Sequence, residues 1–351
     1  MSEPRESQGM RVPAAALAAR LLQALAAAGA CEGSSRAAVR AMMHASRLGV
    51  DSHGARLVGH YAEVLRAGRL NPRPVLAVRR TGAATAVIDG DDGLGHHAAY
   101  RAIAEAVALA GESGIGAVGV VRSSHFGAAG AYAMVAAEAG MVGLATTNAD
   151  AIVALHGGDG AFHGTNPLAF AAPSGGDRPW LLDMATSSIP FNRVLLYRSL
   201  GLVLPEDVAA DEHGGNTRDA GAARVLLPLG GSSFGFKGAG LAGVATLLSA
   251  VLQGMVLDHA MIPMVGTADR ATPRGMGHFV LAIDPDRFGG RTVFEAGMRR
   301  YLEALRGWPA RPGERVMAPG DREWRVEAER ARDGIPVDPD TAAFLGFDTG
   351  R

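Results

Sequence analysis

The fold is decided around one stretch, Val118-Gly119-Val120-Val121-Arg122-Ser123-Ser124-His125-Phe126-Gly127-Ala128-Ala129-Gly130. A β-branched, apolar run ends in a polar turn, and a helix of small residues begins behind it. This order predicts a strand, a turn and a helix, with His125 at the carboxyl end of the strand. In open α/β sheets ligands bind at that end, because the loops there converge on a crevice. His125 is therefore a candidate site residue.

Strand and helix patterns alternate on both sides of this stretch. Strands are predicted at 75–78, 84–89, 142–146, 168–172, 180–184 and 277–283, with helices between most of them and no internal repeat. Interleaved elements of this kind predict an α/β fold with a mixed sheet. Residues 205–224 are polar and irregular, and we expect them to form an excursion on the surface.

The first seventy residues predict helices rather than strands. Leu17, Leu21 and Leu25 recur every four residues, which describes one face of a helix. Ser34 or Ser35 can cap a second helix that ends at Gly49. We therefore expect three parts: a helical segment at 1–72, a central α/β domain with the cofactor site at 73–290, and C-terminal helices at 291–351 that pack with the N-terminal segment.

The composition limits the classes of partner that we expect. The chain has 351 residues, is 48% hydrophobic and has a formal net charge of −1, without a basic block. A nucleic-acid footprint needs clustered Lys and Arg, so nucleic acid is not an expected partner. Cys31 is the only cysteine, which fits a reducing compartment. Although residues 21–31 resemble the end of a lipoprotein signal, Arg20 and Gln23 interrupt the apolar run. We expect a cytoplasmic protein with no membrane partner.

A dinucleotide fingerprint is matched by coincidence. Residues 114–119 read G-x-G-x-x-G, but here a predicted helix precedes the glycines and a strand follows them. The Rossmann turn needs the opposite order, because the pyrophosphate meets the N-terminus of the helix that follows. Any dinucleotide is therefore bound without the Rossmann turn.

A glycine-rich stretch stands out near the middle of the chain. Residues 230–240 contain Lys237 in a chain where lysine is nearly absent. We expect a flexible loop that opens a helix at 241–254 and brings the ammonium group of Lys237 to a ligand. Glycines permit that close approach.

Six motifs together carry a resemblance to a known family. The chain is similar, over about residues 13–340, to the malate/L-lactate dehydrogenase family of the second type, which differs in fold from the ordinary lactate and malate dehydrogenases. The carriers are Asp51-Ser52-His53-Gly54, Ser124-His125-Phe126-Gly127, Gly164-Thr165-Asn166-Pro167, Asp183-Met184-Ala185-Thr186-Ser187, Lys237-Gly238-Ala239-Gly240-Leu241 and Pro319-Gly320.

The resemblance implies a homodimeric oxidoreductase with NAD or NADP in a non-Rossmann domain. Relatives transfer hydride at the carbon next to a carboxylate, in 2-hydroxy or 2-oxo acids of the malate and lactate type. The alternatives are a reductase of cyclic imino acids such as piperideine-2-carboxylate, and a non-catalytic binding dimer that keeps the family's shape. No metal is implied.

The resemblance also assigns roles to residues. It implies that His53 and His125 are catalytic, and we expect His53 to be the proton donor, with His125 either orienting the substrate or exchanging roles with His53, since an imidazole titrates near neutral pH. Arg56 is one turn after His53, on the same predicted helical face, and is the candidate for the substrate carboxylate, with Arg47 as the second candidate.

Further residues match the cofactor contacts of the family. Asn166 and Thr165 either bind substrate or carboxamide or hold the turn before Pro167. Arg193 follows Asn192 where many relatives have Gly-Lys, a change that bears on cofactor or substrate preference. The cofactor set implied by the resemblance is Asp183, Met184, Thr186, Ser187, Arg193, Phe236, Lys237 and Gly320.

Overall fold

The structure, a computed structural model, describes residues 10–176 and 178–348. Three helices open the described chain: α1 (Ala14–Ala27), α2 (Glu32–Leu48) and α3 (Val58–Arg66). The predicted face of α1 is buried, and α2 ends at Gly49 in the left-handed conformation. The capping prediction for α2 was wrong. Cys31 is the N-cap, and Ser34 and Ser35 lie buried inside the helix.

A seven-stranded mixed sheet forms the centre of the molecule. Its strands are β2 (Ala77–Gly82), β3 (Thr85–Asp89), β4 (Ile115–Ser123), β5 (Val142–Thr147), β8 (Leu168–Ala172), β9 (Trp180–Met184) and β12 (Met276–Ile283), and the short β1 (Met10–Val12) lies outside it. The strand order is β2-β3-β4-β12-β5-β8-β9, and within this sheet only β3 and β4 run parallel to each other. The prediction of an α/β fold with a mixed sheet is confirmed.

Helices cover both faces of this sheet. On one face α4 (Gly95–Ser113) and α5 (Gly130–Glu138) pack together, and a Cβ on Gly116 would collide with the α4 backbone. A Cβ on Gly119 would instead meet Gln253, because residues three apart in a strand point to opposite faces. The second face is covered by α8 (Phe236–Thr246) and a π-helical turn (Leu247–Val251).

The G-x-G-x-x-G stretch lies between a helix and a strand, in the order that the sequence predicts. Gly114 ends α4 with a φ of 85°, and β4 begins at Ile115. A helix therefore precedes the glycines and a strand follows them, and the prediction that this match is not a Rossmann turn is confirmed.

A second, four-stranded sheet was not predicted. Its order is β10-β11-β6-β7, with strands β6 (Val153–Ala154), β7 (Ala161–His163), β10 (Ala209–Ala210) and β11 (Val225–Leu226). Helix α6 (Phe191–Ser199) packs beside it through the buried Val194. Most residues of 205–224 are exposed or half-buried, as expected for a surface excursion, but Ala209, Ala220 and Ala223 pack into an apolar cluster there.

The C-terminal elements return to the N-terminal helices. Strand β13 (Ile335–Val337) pairs antiparallel with β1, and its buried residues share a core with Leu17 and Tyr61. The remaining helices are α7 (Gly231–Phe234), α9 (Arg291–Arg306), α10 (Asp321–Asp333) and α11 (Pro339–Phe344). The three-part division stays a prediction, and residues 1–9 and 349–351 of it lie outside the described chain. No described helix is long and apolar enough to cross a membrane.

Candidate active site

Two turns bring His53 and His125 together. Strand β4 ends at Ser123 and delivers His125, while His53 lies in a 3₁₀ turn between α2 and α3. The ring centroids are 5.8 Å apart and the ring planes differ by 22°. Both side chains are half-buried. Residues separated by 72 positions in the chain therefore address one place.

The hydrogen bonds of His125 fix its tautomer. Its Nδ1 lies 2.7 Å from the hydroxyl of Tyr61 and 3.4 Å from the amide nitrogen of Gly127. A backbone N–H can only donate, so Nδ1 is the acceptor and neutral His125 carries its proton on Nε2. Burial raises the pKa of Tyr61, which keeps its hydroxyl protonated as a second donor to Nδ1.

Both imidazoles are neutral near pH 7. Burial lowers the pKa of His53, and burial together with the neighbouring His53 lowers the pKa of His125 well below its usual value. The Oγ of Ser52 lies 2.9 Å from Nδ1 of His53. If that hydroxyl accepts from Nδ1–H, the Nε2 of His53 keeps a lone pair that can take a proton.

An ion pair holds the turn that carries His53. The guanidinium of Arg330, in α10, donates through both terminal nitrogens to the carboxylate of Asp51, at 2.5 and 2.7 Å. The same group donates to the backbone oxygen of Ser46, in α2. Arg330 is buried. This bidentate ion pair therefore ties α10 to Asp51, which lies two residues before His53 in the same turn.

Two further buried histidines, His278 and His96, pack against residues that neighbour His125. His278 contacts the Oγ of Ser123 at 2.8 Å and stacks on Phe126 at a centroid distance of 4.6 Å. His96 packs edge-on against Tyr61, 4.8 Å between centroids. Burial lowers the pKa of each of these histidines to about 3, so both are neutral.

Asp183 lies at the end of β9, against the N-terminus of α5. Its Oδ2 accepts the amide hydrogen of Gly130 at 2.8 Å. Burial raises the pKa of Asp183 to about 6, although the Gly130 hydrogen bond opposes the shift. The carboxylate borders a cavity of about 160 Å³, whose lining is His44, Leu48, Val50, Leu181, Leu182, Asp183, Pro319, Gly320 and Glu323.

The structure brings Gly320 to this same cavity. Gly320 precedes α10 with a φ of 96°, and the preceding Pro319 accepts a hydrogen bond from the amide of Leu181 in β9. Asp183 and Gly320, predicted together from the sequence, line one cavity. Met184 follows Asp183 and pairs with Leu168, half-buried.

A larger cavity, about 440 Å³, adjoins the first, and both are lined by His44 and Leu48. Arg47 lines this larger cavity rather than the smaller one, and its Nε donates to the backbone oxygen of Met43. The full lining is Arg40, His44, Arg47, Leu48, Tyr100, Ala131, Met134, Glu138, Arg178, Pro179, Trp324 and Glu327.

Lys237, the only lysine of the chain, lies in the first turn of α8. The prediction of a flexible loop up to residue 240 was wrong, because α7 and α8 already occupy this stretch. The side chains of Lys237 and Phe236 are exposed, and Nζ lies 5.9 Å from the Phe236 ring centroid. Leu229 links this helix to the β9 end, since its amide donates to Thr186 and its oxygen accepts from Gly238.

The hydroxyls after β9 are used within the fold. Thr186 is buried, and its Oγ1 donates to the backbone oxygen of Thr165 at 3.1 Å. The Oγ of Ser187 is also buried and donates to the backbone oxygen of Ile189. Each hydroxyl keeps only acceptor capacity for another group.

The geometry of Asn166 favours the turn-holding alternative. This residue is fully buried with a φ of 36°, and its Nδ2 donates to Oδ2 of Asp258 at 2.7 Å. Its Oδ1 accepts from the amide of Ala149. Asp258 also accepts from His163 and Thr246, which lower its pKa against the effect of burial.

Arg56 lies elsewhere than the sequence pattern indicates. Arg56 is exposed in a separate 3₁₀ turn, because Gly54 breaks the helical path with φ −90° and ψ −147°. The expectation that Arg56 and His53 share one helical face was therefore wrong. Arg193 lies half-buried in α6, where its amide donates to Pro190.

Sequence reasoning missed the residues that act through the histidines. Tyr61 lies on a buried face of α3 and Arg330 in the charged helix α10, and neither has a sequence pattern that distinguishes it from its neighbours. Asp258 carries no local signal at all, because its partners lie 12 to 110 positions away in the chain. In the part of the chain that the structure describes, no group of three or more His, Cys, Asp or Glu is arranged to hold a metal ion.

Residues 12–345 match the model of the malate/L-lactate dehydrogenase family. The chain belongs to this family. It is 33% identical over 335 residues to a malate dehydrogenase of Pyrococcus horikoshii, covering 93% of this chain and 91% of that one. The solved structure of that malate dehydrogenase matches with a TM-score of 0.88 over 99% of both chains. The resemblance stated from the sequence motifs is confirmed.

Other members of the family differ in substrate and cofactor. The chain is 32% identical to an NAD(+) ureidoglycolate dehydrogenase of Escherichia coli O157:H7, covering 87% of this chain and 86% of that one. A Chromohalobacter salexigens relative is named as an NADP(+) enzyme. A Δ1-piperideine-2-carboxylate reductase of Pseudomonas syringae has a TM-score of 0.85 and 27% identity, over 96% of this chain and 98% of that one. The prediction of an NAD- or NADP-dependent dehydrogenase is confirmed at the level of the family.

Proposed function

We propose that this protein transfers hydride between NAD or NADP and a small 2-hydroxy or 2-oxo acid, with His53 and His125 acting on the substrate. The observation that carries this proposal is the pairing of two neutral imidazoles, those of His53 and His125, whose ring centroids are 5.8 Å apart. Hydride chemistry needs a fixed nicotinamide and a group that moves one proton at the substrate oxygen.

The residues around the two cavities fit a nicotinamide dinucleotide. Oδ2 of Asp183 is occupied by Gly130, so Oδ1 is the acceptor for a carboxamide N–H. The larger cavity presents Arg40, Arg47 and Arg178, and guanidinium groups suit phosphate oxygens. We therefore assign Arg47 to the cofactor rather than to the substrate. When bound, the nicotinamide supplies or accepts the hydride.

The two histidines have different tasks in this proposal. His125 carries its proton on Nε2, so it donates a hydrogen bond that orients the substrate oxygen. His53 carries its proton on Nδ1, toward Ser52, and its Nε2 takes the hydroxyl proton during oxidation and returns it during reduction. Arg56 remains the proposed contact for the carboxylate next to the reacting carbon. Thr165, Thr186, Ser187, Phe236, Lys237, Arg193, Met184 and Gly320 stay proposed cofactor or substrate contacts.

A substrate scan tests the activity. The purified protein is incubated with L-malate, L-lactate, L-sulfolactate or Δ1-piperideine-2-carboxylate and each oxidised or reduced cofactor. The proposal expects turnover of a hydroxy or oxo acid, and a variant His53→Ala reduced at least about 100-fold in kcat. Turnover of the cyclic imine alone contradicts it, as does a His53→Ala enzyme that retains wild-type kcat.

We also propose a homodimer, supported by an apolar stripe along α8 and the π-helical turn. Four exposed residues recur there every three or four positions, Leu241, Val244, Leu247 and Val251, and the exposed Leu252 follows the last of them. A stripe of this kind marks an interaction surface. Light scattering should give a dimer for the wild type and a monomer for Val251→Asp, whereas Val265→Asp, also exposed but outside the stripe, should remain dimeric. A monomeric wild type contradicts the proposal.

A cytoplasmic location is also proposed, and cell fractionation tests it.

A further inference from the structure

A basic face of α2 lines the larger cavity. Arg40, His44 and Arg47 recur at the spacing of one helical face, and all three line this cavity of about 440 Å³. Only the Nε of Arg47 is used within the described chain, by the backbone oxygen of Met43, and its terminal nitrogens make no hydrogen bond or ion pair there. Arg47 therefore presents a charged fork with free donors to the cavity.

Arg40 and Tyr100 extend the same site. The guanidinium carbon of Arg40 lies 4.3 Å from the centroid of the Tyr100 ring. Its contact with Glu138 is long, 3.8 Å, and joins two exposed side chains. An ion pair of that kind is weak, so a bound anion can compete for Arg40. The Tyr100 hydroxyl makes no hydrogen bond to a described residue and is a further donor on the cavity.

His44 and Tyr100 both face the two arginines. Burial, with the charges of Arg47 and Arg40, lowers the pKa of His44 to about 4. Burial raises the pKa of Tyr100, and the charges of Arg40 and Arg47 oppose that shift. Both guanidinium groups therefore lie close to both rings. Near pH 7 the imidazole is neutral and the phenol protonated, so neither places a negative charge beside an incoming anion.

The same cavity offers flat faces for stacking. The guanidinium carbon of Arg178 lies 5.3 Å from the Trp324 ring centroid, and Arg178 pairs with Glu327 at 2.7 Å. Planar guanidinium and indole groups are stacking partners for an aromatic base. The two described carboxylates that line the cavity, Glu138 and Glu327, each face an arginine, which leaves Arg47 as excess positive charge.

We propose that this cavity binds the adenosine end of the cofactor and that Arg47, with Arg40 and Tyr100, holds the 2′-phosphate, so that the protein prefers NADP to NAD. A free carboxylate suits the ribose hydroxyl of NAD, whereas a free arginine suits the 2′-phosphate of NADP. His44 and Leu48 line both cavities, so a dinucleotide can extend from this one toward Asp183. This inference rests on the proposed oxidoreductase function and names the preferred cofactor.

Direct binding of the reduced cofactors tests the preference without turnover. Nicotinamide fluorescence gives the Kd values of NADPH and NADH, and the wild type should bind NADPH at least about 10-fold more tightly. Arg47→Met should reduce this preference about 10-fold, through weaker binding of NADPH. Arg36→Met is the matched control, because Arg36 is one turn before Arg40, is exposed and pairs with Glu32, and it should keep the preference. A wild type that binds both cofactors equally or prefers NADH overturns the inference. An Arg47→Met protein that loses both affinities equally also overturns it, since Arg47 then binds a group that the two cofactors share.

Fragments of the cofactor separate this inference from the proposed function. Adenosine 2′,5′-bisphosphate and adenosine 5′-monophosphate differ only in the 2′-phosphate. The bisphosphate should raise the Tm of the wild type and of Arg36→Met more than the monophosphate does, and this difference should disappear in Arg47→Met. If neither NADH nor NADPH binds but the bisphosphate shift depends on Arg47, the phosphate site stands and the proposed oxidoreductase function fails.

A third nucleotide tests whether the site recognises the position of the phosphate. Adenosine 3′,5′-bisphosphate has the same charge as the 2′,5′ isomer and should raise the Tm of the wild type less. Equal shifts by the two isomers, or an Arg47→Met protein that keeps the wild-type difference between bisphosphate and monophosphate, overturn the 2′-phosphate site.

Discussion

The hydroxyl of Tyr61 lies 2.7 Å from Nδ1 of His125, and together with the amide of Gly127 it donates to this atom, which leaves the proton of His125 on Nε2. The imidazole can then donate toward a substrate oxygen without first being protonated. Tyr61 is therefore a positioning residue in the proposed mechanism, and it acts through the tautomer of His125.

Removing that hydroxyl should weaken the orientation of His125 while leaving the fold intact. We expect Tyr61→Phe to lower kcat about 5- to 10-fold, the equivalent of one hydrogen bond, with little change in KM. Nitrogen-15 NMR of the histidines should show the Nδ1–H tautomer of His125 gaining population. Tyr301→Phe, at an exposed position, is the control. A His125 that carries its proton on Nδ1 already in the wild type would contradict the assignment.

The Asp51–Arg330 pair should stabilise the fold and the position of His53. Loss of Arg330 leaves the Asp51 carboxylate without its partner, so Arg330→Met should lose about 2 kcal/mol in the free energy of unfolding, below the value for a fully buried pair because Asp51 is partly exposed. Arg332→Met in the same helix removes an exposed pair and should leave the free energy of unfolding nearly unchanged. Urea unfolding measures the free energy of unfolding of both variants. Equal losses in the two would contradict a larger contribution from the Asp51–Arg330 pair.

Lys237 offers a chemical test because the chain has no other lysine. Its exposed amine should react with an acetylating reagent, leaving the terminal amine as the only other amine target. If Lys237 contacts the dinucleotide, NADH or NADPH should slow its acetylation several-fold while the terminal amine reacts at an unchanged rate. Mass spectrometry of the peptides measures both rates. Equal protection of both amines, or of neither, would remove Lys237 from the cofactor site.

Buried neutral histidines should make the fold sensitive to acid. The pKa of His96 is about 3 in the folded protein and near 6.5 when unfolded, so the unfolded state binds more protons as the pH falls below about 6.5. Between about pH 7 and about pH 5 this residue alone should cost about 2 kcal/mol. His96→Phe should lessen the acid-induced loss of unfolding free energy by that amount. The exposed His213→Gln should leave the loss as in the wild type, and the same pH slope in both variants would refute the assignment.

The sequence predicted much of the central sheet because each strand is a short apolar run bounded by turn residues. Strands β8 and β9 have the predicted bounds, and Gly114 and Gly49 end helices as their missing side chains favour. The small second sheet escaped prediction because its strands are two or three residues long and alanine-rich. Their burial comes from distant apolar partners that no local pattern reveals.

The site was predicted in part for similar reasons. Motif spacing identified His53 and His125, whose rings the structure stacks, and Asp183, which lines the smaller cavity. The helical-face argument for Arg56 failed because a single extended residue, Gly54, reorients the chain.

Direct observation of hydride transfer tests the central claim. L-malate carrying deuterium on its hydroxyl-bearing carbon is incubated with the wild-type protein and NAD or NADP, and the reduced cofactor is analysed by mass spectrometry. We predict that deuterium appears in the nicotinamide ring with the wild type and that its rate of appearance falls at least about 100-fold with His53→Ala. Oxidation of malate without deuterium in the nicotinamide, or no oxidation of malate with either cofactor, would contradict it.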